Sequence, residues 1–173
     1  MGIGGQAVAE AMKFEDLRVL QAAEAIADGV WREVVRWDSF ARDVVGGQLA
    51  RAADSIGANI AEAFGRFHFG EKLQFLYYSR GSLFETKYWL NRTLERNLMP
   101  VARVQEYVAQ LTDVARQLNS FAATLKSQRR STRSQSKAAR EPSVKYLTGS
   151  LDDLSLPLFA DEELVWLSTV PNP

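Results

Sequence analysis

The sequence contains no cysteine and only one histidine, His68, among its 173 residues. Without cysteine the chain cannot form a disulfide bond or a thiolate metal site, and one histidine cannot supply a multi-histidine site. No apolar run approaches the ~20 residues that a membrane-spanning helix needs. The first residues also lack the basic and apolar regions of a signal peptide. We therefore expect a cytoplasmic protein that is not an enzyme, with no catalytic residue, metal ion, cofactor or membrane contact.

The net charge of zero conceals an uneven distribution of 21 basic and 21 acidic side chains. Residues 1–125 are nearly balanced, with 14 basic and 15 acidic side chains. Residues 126–145 hold seven basic side chains and one acidic, whereas residues 146–173 hold five acidic side chains and no basic one. The zero is therefore the sum of a neutral body, a basic segment and an acidic tail.

Apolar residues recur every three or four positions up to Leu125, which predicts helices rather than strands. The clearest series runs from Val101 to Leu125 and is typical of one narrow buried face. Because the predicted links are short, neighbouring helices should be antiparallel. The sequence therefore predicts an all-α fold, an antiparallel up-down-up-down four-helix bundle with a non-bundle C-terminal extension. The predicted helices cover about 15–37, 41–66, 70–96 and 100–125.

Four regions follow from this pattern and from composition. They are a flexible leader (1–13), the bundle domain (14–126), a basic disordered linker (127–145) and an acidic-hydrophobic tail (146–173). Acidic segments with interspersed apolar residues can bind a partner as short linear motifs. The tail can equally dock onto its own bundle or onto a sister subunit. The side chains predicted to dock are Leu156, Leu158, Phe159 and Trp166.

A polar stripe on the second predicted helix is the most informative chemical feature. Its members follow one another at intervals of three or four residues, and Arg80 on the third helix falls among apolar positions. A buried guanidinium needs a partner, for which Glu62 and Glu85 are the candidates. The stripe is either a ligand or RNA site, or a buried network that fixes helix register or a subunit contact. The network candidates are Ser55, Asn59, Glu62, Arg80 and Glu85, and the stripe also contains Arg51 and Arg66.

Three segments of this sequence resemble the motifs of a known bacterial family. They are QLARAADSIGANIAEAFGR at 48–66, FLYYSRGSLFE at 75–85 and FEDLRVLQA at 14–22. These segments are similar to those of the bacterial four-helix bundle proteins called 23S rRNA intervening-sequence proteins. The sequence departs from the family pattern at Leu20, Ala63 and Ser79, where Trp, Gly and Ala are common.

The resemblance implies a bundle that assembles into a homopentamer. Genes of this family are often found inside sequences inserted in 23S rRNA genes. Similar proteins are accessory subunits of the reverse transcriptases of diversity-generating retroelements, where they bind RNA and the enzyme.

Two functions are therefore expected. The first is a non-enzymatic oligomeric scaffold that binds structured RNA, and the second is a protein-interaction adaptor, such as a reverse transcriptase accessory subunit, that docks through its tail. The predicted RNA-binding side chains are Arg51, Arg66, Arg129, Arg130, Arg133, Lys137 and Arg140.

Overall fold

The computed structural model describes residues 17–136 and 156–171, and every regular element within them is helical. Helices α1 to α4 each pack on the next, and α4 returns to α1, which confirms the predicted up-down-up-down bundle. Helix α5 follows outside the bundle and contacts α4. The predicted leader, residues 137–145 of the predicted linker and residues 146–155 and 172–173 of the predicted tail lie outside the described residues. The main helices are α1 (Arg18–Val34), α2 (Gly47–Gly65), α3 (Phe69–Glu95), α4 (Val101–Ser136) and α5 (Asp161–Ser168), and a single helical turn, Ser39–Ala41, lies between α1 and α2.

Helices α1 and α2 pack closely because each presents small side chains to the other. Ala23 on α1 and Ala53 on α2 are fully buried among branched apolar side chains such as Ile26 and Ile56. Before α2 the chain forms a π-helical segment, Arg42–Gly46. A Cβ on Gly46 would lie 2.5 Å from Cγ1 of Val34, so only glycine permits this approach.

The turn between α3 and α4 has a specific backbone cause. Asn97 adopts a left-handed conformation with φ 54°, which asparagine tolerates better than most residues. The amide of Leu98 donates to the Thr93 carbonyl at 2.9 Å, and the amide of Asn97 donates to the Leu94 carbonyl at 3.0 Å. This Schellman arrangement ends α3, and α4 begins directly after Pro100.

A charged contact joins α1 and α4. Nε of Arg103 donates to Oε1 of Glu33 at 2.8 Å, and another guanidinium nitrogen donates to the Tyr107 hydroxyl at 3.0 Å. Hydrogen bonding to Glu106, and then to Glu33, raises the pKa of Arg103. Tyr107 is buried, its pKa is raised by that burial, and its ring packs against the backbone of Gly29.

Helix α4 continues to Ser136, whereas the sequence predicts a disordered basic linker from residue 127. The expectation is therefore wrong for residues 127–136. These residues include no proline or glycine, and arginine and glutamine have good helix propensity. Extending an existing helix avoids the unfavourable nucleation step, so a polar sequence can remain helical without an apolar face.

Within residues 17–136 and 156–171, no helix combines the length and the apolarity that crossing a bilayer requires.

The close contact at Gly29 gives a prediction about stability. In Gly29→Ala the new Cβ would lie 2.9 Å from the Tyr107 hydroxyl and 3.1 Å from Cε1 of the ring. We expect this overpacking to lower the free energy of unfolding by about 1–3 kcal/mol.

The matched control is Gly81→Ala, since Gly81 is exposed on α3 and has nothing within 4 Å of the Cβ position. Its better helix propensity should raise the free energy of unfolding by about 0.5–1 kcal/mol. Urea unfolding measures both, and equal effects of the two substitutions would contradict this account of the α1–α4 contact.

Candidate functional site

The charged part of the predicted polar stripe lies on the surface of α2, not inside the bundle. Arg51, Glu62 and Arg66 are all exposed. Glu62 and Arg66 pair with each other at 2.7 Å, one helical turn apart. The Arg66 guanidinium also lies 4.6 Å from the centre of the Phe75 ring on α3. These three side chains are therefore available to a ligand, although Glu62 offsets the charge of Arg66.

The uncharged part of the stripe contributes to the contact between α2 and α3. Nδ2 of Asn59 donates to the Ser55 carbonyl at 2.8 Å and to Oγ of Ser82 at 3.4 Å. Nearby, the buried hydroxyl of Ser79 donates to the Ile56 carbonyl at 3.0 Å. Ser55 and Asn59 therefore belong to a helix–helix contact that is separate from the exposed charges.

Arg80 pairs with neither of the two carboxylates that the sequence suggested. It donates to Oε1 of Glu163 on α5, in an ion pair whose two side chains are about 30% exposed. Glu62 pairs with Arg66 instead. Glu85 is exposed and lies five positions after Arg80, which places it on a different face of the helix. The expected partners were therefore wrong, and Arg80 binds the C-terminal tail.

The docked tail, residues 156–171, packs against the protein's own bundle. Leu158, Phe159 and Leu167 are almost completely buried, whereas Leu156 and Trp166 are 59% and 45% exposed. In this conformation the bundle covers Leu158 and Phe159, two of the four predicted docking residues. Leu156 and Trp166 remain accessible to a partner.

An asparagine side chain holds the backbone of the docked tail. Nδ2 of Asn119 on α4 donates to the Phe159 carbonyl at 2.9 Å, and its Oδ1 accepts the Phe159 amide proton at 2.7 Å. Nζ of Lys126 donates to the Leu156 carbonyl at 2.5 Å. These contacts satisfy backbone groups that docking removes from water.

Lys87 is the most unusual charged residue of this region. It is 1% exposed, and Nζ donates to the Thr169 carbonyl at the end of the docked tail. Nζ also lies 5.8 Å from the centre of the Trp166 ring. Burial lowers the pKa of Lys87 to about 8. No carboxylate of the described residues lies within ion-pair distance of it.

Aromatic rings connect these cations to one another. The Phe84 ring centre lies 5.8 Å from that of Phe159 and 5.4 Å from that of Trp166. The Arg80 guanidinium lies 4.8 Å from the Phe84 ring centre, within cation–π range. We call the surface beneath the docked tail the tail groove. It is formed by Arg80, Phe84 and Lys87 on α3 and by Asn119 and Lys126 on α4.

The helical continuation of α4 organises the basic segment. Lys126, Arg129, Arg130 and Arg133 occupy positions i, i+3, i+4 and i+7 of one helix. This spacing places the four positions on one side of the helix, and we call them the basic face. Lys137 and Arg140, which were also predicted to bind RNA, lie outside the described residues.

A third feature is a groove between α1 and α2. Its volume is about 270 Å³, and small side chains form its floor. Glu24, Asp28 and Asp54 line its walls. These carboxylates make the groove unfavourable for an anion, which separates it from the basic surfaces described above.

Most of the tail groove was not predicted from the sequence, although one signal was present. Lys87 lies four positions after Leu83 and three before Leu90, so the helical period places it with the core-facing leucines. A cation at such a position needs a hydrogen-bond acceptor, because burying an unpaired charge is costly. No comparable signal identified Asn119 or Glu163.

A family model described as 23S rRNA-intervening sequence protein matches residues 15–120. This chain belongs to that family. In this family member the matched range includes α1 to α3 and most of α4, and therefore Arg80, Phe84 and Lys87. The basic face and the docked tail lie beyond it. No curated protein matches the chain.

Lys87 gives a prediction about pH. Its pKa is about 8 beneath the docked tail and should rise toward 10.5, the ordinary value, when the tail leaves. The docked form then binds fewer protons between these values, so docking should strengthen as the pH rises above 8, by up to about tenfold per pH unit. Tail docking can be followed by the anisotropy of a fluorophore on Ser168→Cys, the only thiol in that variant. Asn119→Ala should weaken docking enough to populate both forms.

The control for this experiment is Lys87→Met in the same background, because it removes the titrating group and keeps an unbranched side chain. We expect its anisotropy to be flat over the pH range in which that of the parent rises. Identical pH profiles for the two proteins would contradict the role given to Lys87.

Proposed function

We propose that this protein is a non-enzymatic homo-oligomeric scaffold, a pentamer as the resemblance implies, that binds structured RNA in the cytoplasm. The observation that carries the proposal is the basic face at the end of α4, where Arg129, Arg130 and Arg133 follow Lys126, a buried lysine that already donates to the docked tail. Membership of the 23S rRNA intervening-sequence family supports it. Aligned cations bind a phosphate backbone through ion pairing and release of counterions.

Other cations can contribute to RNA binding elsewhere on the bundle. Arg51 and Arg66 are exposed on α2, although Arg66 is paired with Glu62 and should contribute less to RNA binding. Oligomerisation would repeat the basic face in every copy. Several copies that bind one RNA raise the apparent affinity, since the second contact is intramolecular.

Exposed apolar side chains support self-association. Trp31 and Val35, one turn apart on α1, are 60% and 44% exposed. Phe40 and Val44, just before α2, are 75% and 47% exposed. Large exposed apolar side chains on a small bundle are typical of a protein–protein contact. We assign this contact to a second copy of the chain.

The RNA proposal predicts a specific loss of salt-dependent binding. Arg129→Gln/Arg130→Gln/Arg133→Gln should weaken binding to a stem–loop RNA and lower the slope of log affinity against log salt by roughly 2–3. The charge-matched control is Arg36→Gln/Arg96→Gln/Arg116→Gln, which removes three exposed arginines elsewhere on the bundle. Fluorescence titrations over a series of KCl concentrations measure both.

Equal losses in the two triple variants would show that total charge, not the basic face, governs binding. Wild-type affinity that does not change with salt would contradict the proposal itself. Sedimentation equilibrium of the wild type tests the oligomeric part, for which a monomer at micromolar concentration is the contrary result.

The alternative function is that of a protein-interaction adaptor, such as an accessory subunit of a reverse transcriptase. It is favoured by the outer side of the docked tail, where Leu156 and Val165 are 59% and 64% exposed and Trp166 is half-exposed. These side chains can contact a partner without the tail leaving the bundle.

The adaptor function predicts that Leu156→Asp/Val165→Asp abolishes capture of a co-expressed reverse transcriptase. The matched control is Val35→Asp/Val44→Asp, which also replaces two exposed apolar residues, but away from the tail. Capture that survives the tail substitutions would exclude this surface as the docking site.

A further inference from the structure

The tail groove carries more positive charge than the docked tail offsets. Arg80 and Lys87 are both cationic and face the docked tail, but among residues 156–171 Glu163 is the only carboxylate that pairs with either of them. Lys87 donates to a carbonyl oxygen instead, and its burial lowers its pKa. The Nε atom of Arg80 is buried and has no hydrogen-bond partner in the described part of the chain. The groove therefore suits a ligand with more negative charge than the tail.

The contacts made by the docked tail are ones that nucleic acid also makes. A carboxylate oxygen binds Arg80 and a carbonyl oxygen binds Lys87, where phosphate oxygens bind equally well. The rings of Phe159 and Trp166 lie against Phe84, where a base can stack. Arg80, Phe84 and Lys87 follow one another at i, i+4 and i+7, so a cation lies one turn to either side of the ring.

The composition of the tail is consistent with a cover that can be released. Residues 146–173 contain five acidic side chains and no basic one, so the tail competes with a polyanion for the same cations. Helix α5 has only eight residues, which is too short to be stable in isolation. A released tail should therefore lose its helix, and its mobility should increase.

We propose that the docked tail is a reversible cover over a single-stranded nucleic-acid site formed by Arg80, Phe84 and Lys87. RNA and the tail then exclude each other. The inference rests on the proposed RNA-binding function and adds to it a second site and a device that controls access. A second peptide like the tail would again leave Lys87 without a negative partner, whereas a phosphate supplies one. The charge balance thus favours RNA over a peptide as the competing ligand.

The test follows tail release and RNA affinity together in the full chain. A fluorophore on Ser168→Cys reports the tail, and an oligouridylate is the probe because it is single-stranded and unstructured. Binding of the oligouridylate should lower the anisotropy of the label. Two substitutions weaken the cover without altering the three proposed RNA-binding side chains: Glu163→Gln and Asn119→Ala.

Glu163→Gln removes one charge from the docked tail and keeps the size of the side chain, and a neighbouring glutamate provides its control. The glutamine oxygen can still accept the Ala160 amide proton that caps α5, which Oε2 of Glu163 accepts at 2.9 Å, but the charged pair with Arg80 is lost. If this weakens docking tenfold, oligouridylate should bind up to about tenfold more tightly, since more of the protein has an open groove. Glu162→Gln makes the same charge change at the exposed neighbouring position and should leave the affinity nearly unchanged. Asn119→Ala should act in the same direction as Glu163→Gln.

Lys87→Met tests whether the opened groove is the site that RNA binds. In the Glu163→Gln background it should reverse the gain in affinity, because it removes a phosphate contact and leaves the tail substitution in place. Far-UV circular dichroism confirms that each variant retains the helical bundle. A gain that persists in the double variant would overturn the proposal.

The remaining outcomes separate this inference from the proposed function. If RNA binds while the labelled tail stays immobile, and Glu163→Gln behaves like Glu162→Gln, the cover is refuted and RNA binding through the basic face stands. If neither the wild type nor any variant binds RNA, both proposals fail. If a synthetic peptide of residues 156–171 displaces the tail but the oligouridylate does not, the groove is a peptide site and the inference is overturned.

Discussion

Lys87 lies on the core-facing side of α3, where an ammonium group must find an acceptor or lose its proton. The bundle itself offers no carboxylate within ion-pair distance among the described residues, and the acceptor comes from the backbone of the docked tail. Arg80 lies one turn before Phe84 on the same face, and its guanidinium finds its acceptor in Glu163. The ion pair of Arg80 with Glu163 and the hydrogen bond from Lys87 to the Thr169 carbonyl therefore hold an acidic segment from the end of the chain on this side of the bundle.

The bundle could be predicted because its cause is local. The apolar residues of α4, from Val104 to Leu125, recur at helical spacing, and each member of that series is buried. Val101, which the same series includes, is 38% exposed because it lies in the first turn, at the end of the bundle. Short links and a turn at Asn97 then leave antiparallel packing as the simple solution. Periodicity and turn chemistry were sufficient for these features.

The tail groove could not be predicted in the same way. Arg80 and Glu163 are 83 positions apart, and the pairing of distant charges depends on where the whole chain places them. Glu62 was the more natural candidate, yet Arg66 lies one turn from it and pairs with it first. The buried residues of the tail follow no period, since Leu158 and Phe159 precede α5 and Leu167 lies near its end. The extension of α4 was not predicted for another reason. An apolar pattern reveals which residues are buried, and a helix that continues into solvent has no buried face and therefore no such pattern.

The position of the tail relative to the family match bears on its role. Within residues 15–120, charged side chains such as Arg103 and Glu33 offset one another, as do Glu62 and Arg66. Arg80 and Lys87 belong to the same range, but the groups that offset or accept them lie beyond it, in the docked tail. A bundle without this tail would present a guanidinium, an aromatic ring and an ammonium group to solvent. The exposed surface would then resemble a nucleic-acid site, and the tail is the element that determines whether this surface is open.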